Sequence, residues 1–146
     1  MIKIEKMTIE DFEKIKDVLQ IEFDEFWNAN ILKSELESNL SEYIVAKEDE
    51  NIVGFAGIIV LPDSAEITNI VTKKTERKKG IGKQLLDKLI NMTIEKEKSN
   101  ISLEVNEKNT AAISLYKKAG FKEVGIRKKY YNGIDNAIIM TKNFNL

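Results

Sequence analysis

The sequence contains no cysteine and no histidine, and its only proline is Pro62. Without cysteine there is no disulfide and no thiol nucleophile, and without histidine a Ser/His/Asp triad and the common zinc sites are excluded. No apolar run approaches the roughly 20 residues of a membrane span, and MIKIEKMTIEDF lacks the apolar core of a signal peptide. We therefore expect a cytoplasmic protein without metal or membrane, whose chemistry uses carboxylates, hydroxyls, amines or backbone groups.

The length and charge of the chain predict one domain and no general affinity for nucleic acid. The chain has 146 residues, 42% of them hydrophobic and 32% charged, which is typical of one globular domain over residues 1–146. Lys and Arg number 23 and Asp and Glu 24, so the formal net charge is −1. Because this balance does not attract nucleic acid, any anion-binding site must be local.

Hydrophobic periodicity predicts an α/β fold with a mixed sheet, in which a strand–helix–strand unit surrounds two glycines. The predicted strands are 2–7, 42–48, 52–61, 65–72, 101–105, 123–131 and 136–142, and the predicted helices are 8–23, 26–38, 81–98 and 109–121. Thr8 with Asp11 is typical of a capping box, and Asn132-Gly133 is typical of a hairpin turn.

The segment TERKKGIGKQLLDKL (75–89) places glycines and positive charge where a loop becomes a helix. Gly80 and Gly82 allow close approach of a ligand to the backbone, and the first N–H groups of a helix attract anions. Four cations, Arg77, Lys78, Lys79 and Lys83, surround this point. The pattern suits a polyphosphate, although a charged run before a helix can also be simply solvated.

Two known phosphate motifs do not match this loop. A Walker sequence needs a glycine where the chain has Arg77 and a Ser or Thr where it has Gln84. A dinucleotide-binding fingerprint needs a third small residue where the chain has Leu85. A P-loop nucleoside triphosphatase and a Rossmann domain are therefore not expected.

Three polar residues downstream of the loop are candidates for chemistry. In ISLEV (101–105), alternation directs Glu104 away from the face of Ile101, Leu103 and Val105, where it is either a solvated or ion-paired carboxylate or, in a cleft, a general base. Asn109 and Tyr116 lie two turns apart on the next helix, roughly 10 Å along its axis. Read singly, Asn109 is a helix cap and Tyr116 a half-buried core aromatic.

Taken together, these segments resemble the GCN5-related N-acetyltransferase family, whose acetyl-CoA motif is Gln/Arg-x-x-Gly-x-Gly/Ala. The similar segments are RKKGIG (77–82), SLEV (102–105), NTAAISLYKKAGF (109–121), IRKKYY (126–131) and AIIM (137–140). Within the family they most resemble the RimI group, which acetylates the N-terminal alanine of the eighteenth protein of the small ribosomal subunit. The resemblance implies the acyl-CoA N-acyltransferase fold, with a mostly antiparallel sheet, splayed fourth and fifth strands and about four helices.

The resemblance also implies roles for individual residues. Glu104 would be the general base and Tyr116 the general acid that protonates the departing thiolate of acetyl-CoA, while Asn109 would contact the cosubstrate. The remaining cosubstrate-binding residues would be Ile70, Val71 and Thr72, through backbone groups at the acetyl and pantetheine end, and Arg77, Lys78, Lys79, Gly80, Ile81, Gly82 and Lys83 at the pyrophosphate. The expected partners are acetyl-CoA and a protein N-terminus, which the RimI resemblance implies is that of a ribosomal protein.

Three departures from the RimI pattern concern the acceptor side. Phe26-Trp27-Asn28 stands where Pro-Trp-Ser is usual, Asn106 replaces an arginine, and Asp135-Asn136 replaces an acidic pair. Two other functions therefore stay open at this stage: acetylation of a lysine side chain or a small amine on the same fold, and a non-catalytic module that binds CoA or RNA.

Overall fold

The computed structural model describes residues 1–23 and 29–144. Its strands are β1 (Ile2–Lys6), β2 (Ser41–Glu48), β3 (Asn51–Val60), β4 (Ser64–Thr72), β5 (Asn100–Asn106), β6 (Lys122–Tyr131) and β7 (Asp135–Asn143). Its helices are α1 (Ile9–Ile15), α2 (Leu19–Glu22), α3 (Ala29–Glu37), α4 (Ile81–Glu95) and α5 (Thr110–Lys118), with a 3-10 turn at Lys74–Glu76. No helix of this described part is long and apolar enough to cross a membrane.

All seven strands belong to one mixed sheet, in the order β1-β2-β3-β4-β5-β7-β6. The pairs β1/β2, β2/β3, β5/β7 and β6/β7 are antiparallel, whereas β4/β5 is parallel. The parallel pairing covers three residue pairs, from Ser64–Asn100 to Glu66–Ser102, although both strands run on beyond it. The expected mixed, mostly antiparallel sheet is therefore confirmed, and the short β4/β5 pairing agrees with a splay of these strands.

The chain forms two compact units, and β4 and α4 contribute to both of them. The first comprises Met1–Val60 and Thr68–Leu89, and the second comprises Leu61–Ile67 and Ile90–Leu146. A single domain over residues 1–146 therefore stays a prediction.

The first unit packs helices against β2, β3 and the last residues of β4. Phe23 and Phe55 meet there with ring centroids 5.9 Å apart. The other buried members of this core are Met7, Phe12, Ile15, Leu19, Leu32, Tyr43, Val45, Ile52 and Val71. The expected capping box is present at the start of α1, because Thr8 and Asp11 exchange side-chain-to-backbone hydrogen bonds of 2.9 and 3.1 Å.

The second unit is built around β5, whose buried residues alternate with half-buried ones as the sequence predicts. β7 lies beside β5, and the hairpin of β6 and β7 turns at Asn132 and Gly133. Both turn residues have positive φ, 53° and 67°, which is the conformation that an Asn-Gly turn favours. The predicted hairpin is therefore confirmed.

One helix prediction is wrong: the segment 8–23 forms two helices, so the described chain has five α-helices where about four were expected. The chain leaves helical geometry at Val18. Its N–H donates a 3.0 Å hydrogen bond to the carbonyl of Ile15, three residues earlier, which makes a tighter turn than the four-residue spacing of an α-helix. Apolar residues keep their helical spacing across the break because Phe12, Ile15 and Leu19 all point into the core. Periodicity therefore cannot reveal the interruption.

Candidate active site

The predicted phosphate loop lies in the first unit, between the end of β4 and the start of α4. Lys78 and Gly80 both adopt positive φ, 65° and 80°, immediately before Ile81 begins the helix. A Cβ at Gly80 would meet no atom of residues 1–23 and 29–144 within 4 Å, so the positive φ, and not a lack of space, selects glycine there. The first N–H groups of α4 have no carbonyl earlier in the helix to bond, as an anion site requires.

The charges of the loop are partly balanced within it. The Lys79 ammonium pairs with Glu76, and the Lys83 ammonium lies 2.9 Å from the Asp87 carboxylate one helical turn later. Both lysines are exposed, with side-chain exposures of 59% and 69%. Exposed pairs of this kind are worth only about 0–1 kcal/mol, so an anion can draw these ammonium groups away at little cost.

The start of α4 is seated on the backbone of β3 and β4. Gly54 makes this possible, because a Cβ there would stand 2.9 Å from the Val71 carbonyl oxygen, 3.1 Å from Ile81 Cγ2 and 3.2 Å from Leu85 Cδ1. Ile81, Leu85 and Val71 are all buried. The start of α4, which follows the loop glycines, and the predicted acetyl-binding residue Val71 are thereby brought together in the first unit.

A buried polar network precedes Ile70 on β4. The Tyr43 ring lies over Gly57, and its hydroxyl accepts a 2.7 Å hydrogen bond from Asn69 Nδ2 and lies 3.1 Å from Thr68 Oγ1. Burial raises the pKa of Glu35, while its hydrogen bond from Tyr43 lowers that pKa. Among the described residues, Glu35 Oε2 and Asn69 Oδ1 are buried without a hydrogen-bond partner. The sequence interpretation missed this network because it joins α3, β2 and β4 across long stretches of chain.

Glu104 lies in the second unit, on the half-buried face of β5. Its Oε2 is 3.4 Å from Arg127 Nη1, and the exposures of the two side chains are 21% and 54%. Glu104 is therefore an ion-paired carboxylate in this structure, which is one of the two alternatives that the sequence left open. A guanidinium at this distance does not exclude a base function, because a carboxylate has a second oxygen to accept a proton.

Tyr116 lies on α5, where its ring packs against Phe121 with centroids 5.8 Å apart. Burial, and to a smaller extent the nearby Tyr131, raises the pKa of Tyr116 to about 12. The phenol therefore keeps its proton at neutral pH, which is the state a general acid needs. Tyr131 also has a raised pKa, caused by its burial, by Glu104 and by Tyr130. Tyr131 therefore interacts electrostatically with both predicted catalytic residues.

Asn109 is the N-cap of α5: its side-chain oxygen accepts a 3.2 Å hydrogen bond from the Ala112 N–H. The helix-cap interpretation of Asn109 is therefore confirmed. Its contact with acetyl-CoA stays a prediction.

Two of the departures from the RimI pattern form a small polar cluster. Asn106 Nδ2 donates to Asp135 at 3.2 Å, and the Asn136 side-chain oxygen accepts from the Lys129 N–H at 2.8 Å. They link the end of β5 with the β6–β7 hairpin, so their polar side chains have structural partners. Phe26-Trp27-Asn28 lies outside the described residues.

Residues 1–23 and 29–144 contain no group of three or more Asp or Glu side chains placed to hold a metal ion.

Arg127 and Tyr131, to which the sequence gave no role, lie in the second unit together with Glu104 and Tyr116. Both residues belong to the motif IRKKYY (126–131), but the sequence of this motif does not reveal which of its side chains turn toward β5.

The comparisons with known proteins agree with this geometry. Residues 6–121 match the model of the Acetyltransferase (GNAT) family. A Haemophilus influenzae protein named [Ribosomal protein bS18]-alanine N-acetyltransferase is 38% identical over 136 residues, 89% of this chain and 90% of its own. A Bacillus subtilis relative is 34% identical over 145 residues, 97% of this chain and 95% of its own. The crystal structure of the ribosomal-protein-S18-alanine N-acetyltransferase from Escherichia coli superposes with a TM-score of 0.90 at 27% identity, covering 100% of this chain and 96% of that one.

Proposed function

Because this chain belongs to the GNAT family of acetyltransferases, we propose that it transfers the acetyl group of acetyl-CoA to the N-terminal α-amine of a protein. The acceptor we propose is the N-terminal alanine of ribosomal protein bS18. Relatives with this name that match nearly the whole chain support that choice. The cytoplasm, where acetyl-CoA and ribosomal proteins meet, is the proposed location.

The first unit supplies the binding half of this function. The N–H groups at the start of α4, with Gly80 and the flanking cations, are suited to the pyrophosphate of acetyl-CoA. Backbone groups of Ile70, Val71 and Thr72 would hold its acetyl end, and the Val71 N–H would donate to the carbonyl oxygen as negative charge develops there. Bound acetyl-CoA supplies the thioester that the amine attacks.

The second unit supplies the proton transfers. Glu104 takes one proton from the α-ammonium of the acceptor, whose pKa near 8 makes this easier than with a lysine side chain at about 10.4. The amine nitrogen then bonds to the acetyl carbon, the carbon–sulfur bond breaks, and Tyr116 gives its proton to the sulfur. The second proton that the nitrogen loses on becoming an amide returns to the Tyr116 phenolate, so the net product is one proton, held by Glu104. The observation that supports this assignment is the half-buried position of the Glu104 carboxylate, whose side chain is 21% exposed on the face of β5.

The test uses a property of this sequence. Because the chain has no cysteine, a thiol reagent detects released CoA without any background from the enzyme. With a peptide beginning Ala-Arg-Tyr as acceptor, the enzyme should release CoA from acetyl-CoA. With the same peptide carrying a blocked α-amine, it should not. Release with a blocked peptide that contains lysine, or with a small amine alone, would instead support the other acceptor classes.

Variants test the assigned residues. Glu104→Gln and Tyr116→Phe should each lower kcat by about 10²–10⁴-fold, the usual contribution of a positioned acid or base. Glu123→Gln is a matched control, since Glu123 is an exposed carboxylate that pairs with Lys117 on the same unit. Rates near the parent for both active-site variants would refute these roles while leaving the acetyltransferase activity itself intact.

A further inference from the structure

The pairing of β6 with β7 is interrupted beside the predicted catalytic residues. Arg127 lies opposite Ala137 and Tyr131 lies opposite Asp135, so three residues of β6 (128–130) face one residue of β7 (136). Within the bulge, Lys129 adopts a positive φ of 53°. Bulges of this kind bend a strand and redirect its side chains.

The bulge brings two side chains together that a regular strand would separate. Residues three apart on a flat strand point to opposite faces, yet the Arg127 guanidinium carbon lies 4.8 Å from the centroid of the Tyr130 ring. Tyr130 in turn makes an edge contact with Tyr131, with centroids 5.1 Å apart. The Tyr130 ring is therefore a platform that supports a planar guanidinium.

From this platform Arg127 reaches Glu104 across β7. Glu104 lies opposite Ile139 of β7, and Ile139 lies opposite Gly125 of β6, so the ion pair joins the two strands that flank β7. The 3.4 Å contact involves Glu104 Oε2. It leaves Oε1 to accept a proton.

We propose that Arg127, seated on Tyr130 by the β6 bulge, is a positioning residue that holds the Glu104 carboxylate in orientation for proton transfer. The inference rests on the proposed function, which makes Glu104 the base. A base must be within hydrogen-bond reach of the proton it takes, and an unsupported glutamate side chain samples several rotamers. Contact with a supported guanidinium restricts that sampling. Lysine is not equivalent here, because its ammonium does not stack on a ring as a planar guanidinium does.

The experiment is a double-mutant cycle on the purified full chain, with kcat and both KM values measured by CoA release. Arg127→Met should lower kcat about fivefold, which corresponds to the ~1 kcal/mol upper value for an exposed ion pair, and should leave KM for acetyl-CoA unchanged. Arg127→Lys should recover part of the loss. In the Glu104→Gln background, Arg127→Met should cause no further loss, because Arg127 then has no carboxylate to hold.

Two variants of the platform separate positioning from folding. Tyr130→Phe keeps the ring and should retain the parent kcat, whereas Tyr130→Leu should lose activity toward the level of Arg127→Met. The side chains of Arg127 and Tyr130 are both more than half exposed, so the single variants at these two positions should unfold within about 2 °C of the parent.

Two results would overturn the inference without touching the proposed function: parent activity in Arg127→Met, or an equal loss from Arg127→Met with and without Glu104. The failure of the proposed base has a different signature. Parent activity in Glu104→Gln alone would remove the base role, and the positioning role with it.

Discussion

The packing of α4 on Gly54 gives a prediction whose size can be worked out from the structure. In Gly54→Ala, the new methyl would lie 2.9 Å from the Val71 carbonyl oxygen, 3.1 Å from Ile81 Cγ2 and 3.2 Å from Leu85 Cδ1. All three atoms belong to buried residues, two of them on the first turns of α4. The helix start and the strand must therefore move apart by a few tenths of an ångström.

Overpacking of this kind costs about 1–3 kcal/mol in the free energy of unfolding. For a chain of this length each kcal/mol lowers Tm by about 2–4 °C, so we expect a loss of about 2–12 °C. The displaced groups are those that the proposed function assigns to acetyl-CoA, Val71 on the strand and Ile81 at the helix start. KM for acetyl-CoA should therefore rise about tenfold, while KM for the acceptor peptide changes little.

Leu89→Ala is the matched control, since Leu89 is fully buried further along the same helix. It should cost about 2–5 kcal/mol through a cavity and leave the loop in place. Thermal unfolding and steady-state kinetics of both variants decide the question. An equal rise in KM for acetyl-CoA in Leu89→Ala would show that general destabilisation is responsible, and an unchanged KM in Gly54→Ala would show that the start of α4 does not hold the cosubstrate.

Two further predictions concern the loop and the polar network. Gly80→Ala should lower the free energy of unfolding by about 1–2 kcal/mol, because φ at this position is +80°. It should also weaken acetyl-CoA binding measured by calorimetry, although the new methyl would meet no atom of the described residues within 4 Å. Unchanged affinity would contradict the loop's role in binding. Burial raises the pKa of Glu35, so the folded protein binds more protons than the unfolded chain and loses stability as pH rises above about 4.5 through that raised pKa. In Glu35→Gln, Tm relative to the parent should therefore increase between pH 4.5 and pH 8, and a constant difference would show that Glu35 is ionised without penalty.

The elements around the site were predictable from the sequence because each has a strong local signal. Ile81, Leu85, Leu86 and Leu89 repeat at helical spacing and are all buried, and Ile101, Leu103 and Val105 alternate as a half-buried strand requires. Asn132-Gly133 fixed the hairpin because few other dipeptides adopt positive φ twice.

Features that depend on contacts between distant segments were not predictable in this way. The bulge that places Arg127 on Tyr130 depends on how β6 pairs with β7, and nothing in RKKYY marks the extra residues. The network of Glu35 and Tyr43 joins residues that hydrophobic patterns treat separately. The break at Val18 was hidden because core packing preserves the spacing of apolar residues across it.

The most direct test of the central claim is mass spectrometry of small-subunit ribosomal proteins from cells with and without this gene. We predict that bS18 carries an acetyl group on its N-terminal alanine only when the gene is present, seen as an added mass of about 42 units for C₂H₂O. Restoring the gene should restore the modification, and a copy with Glu104→Gln should not. An unchanged, fully acetylated bS18 in cells without the gene would contradict the account.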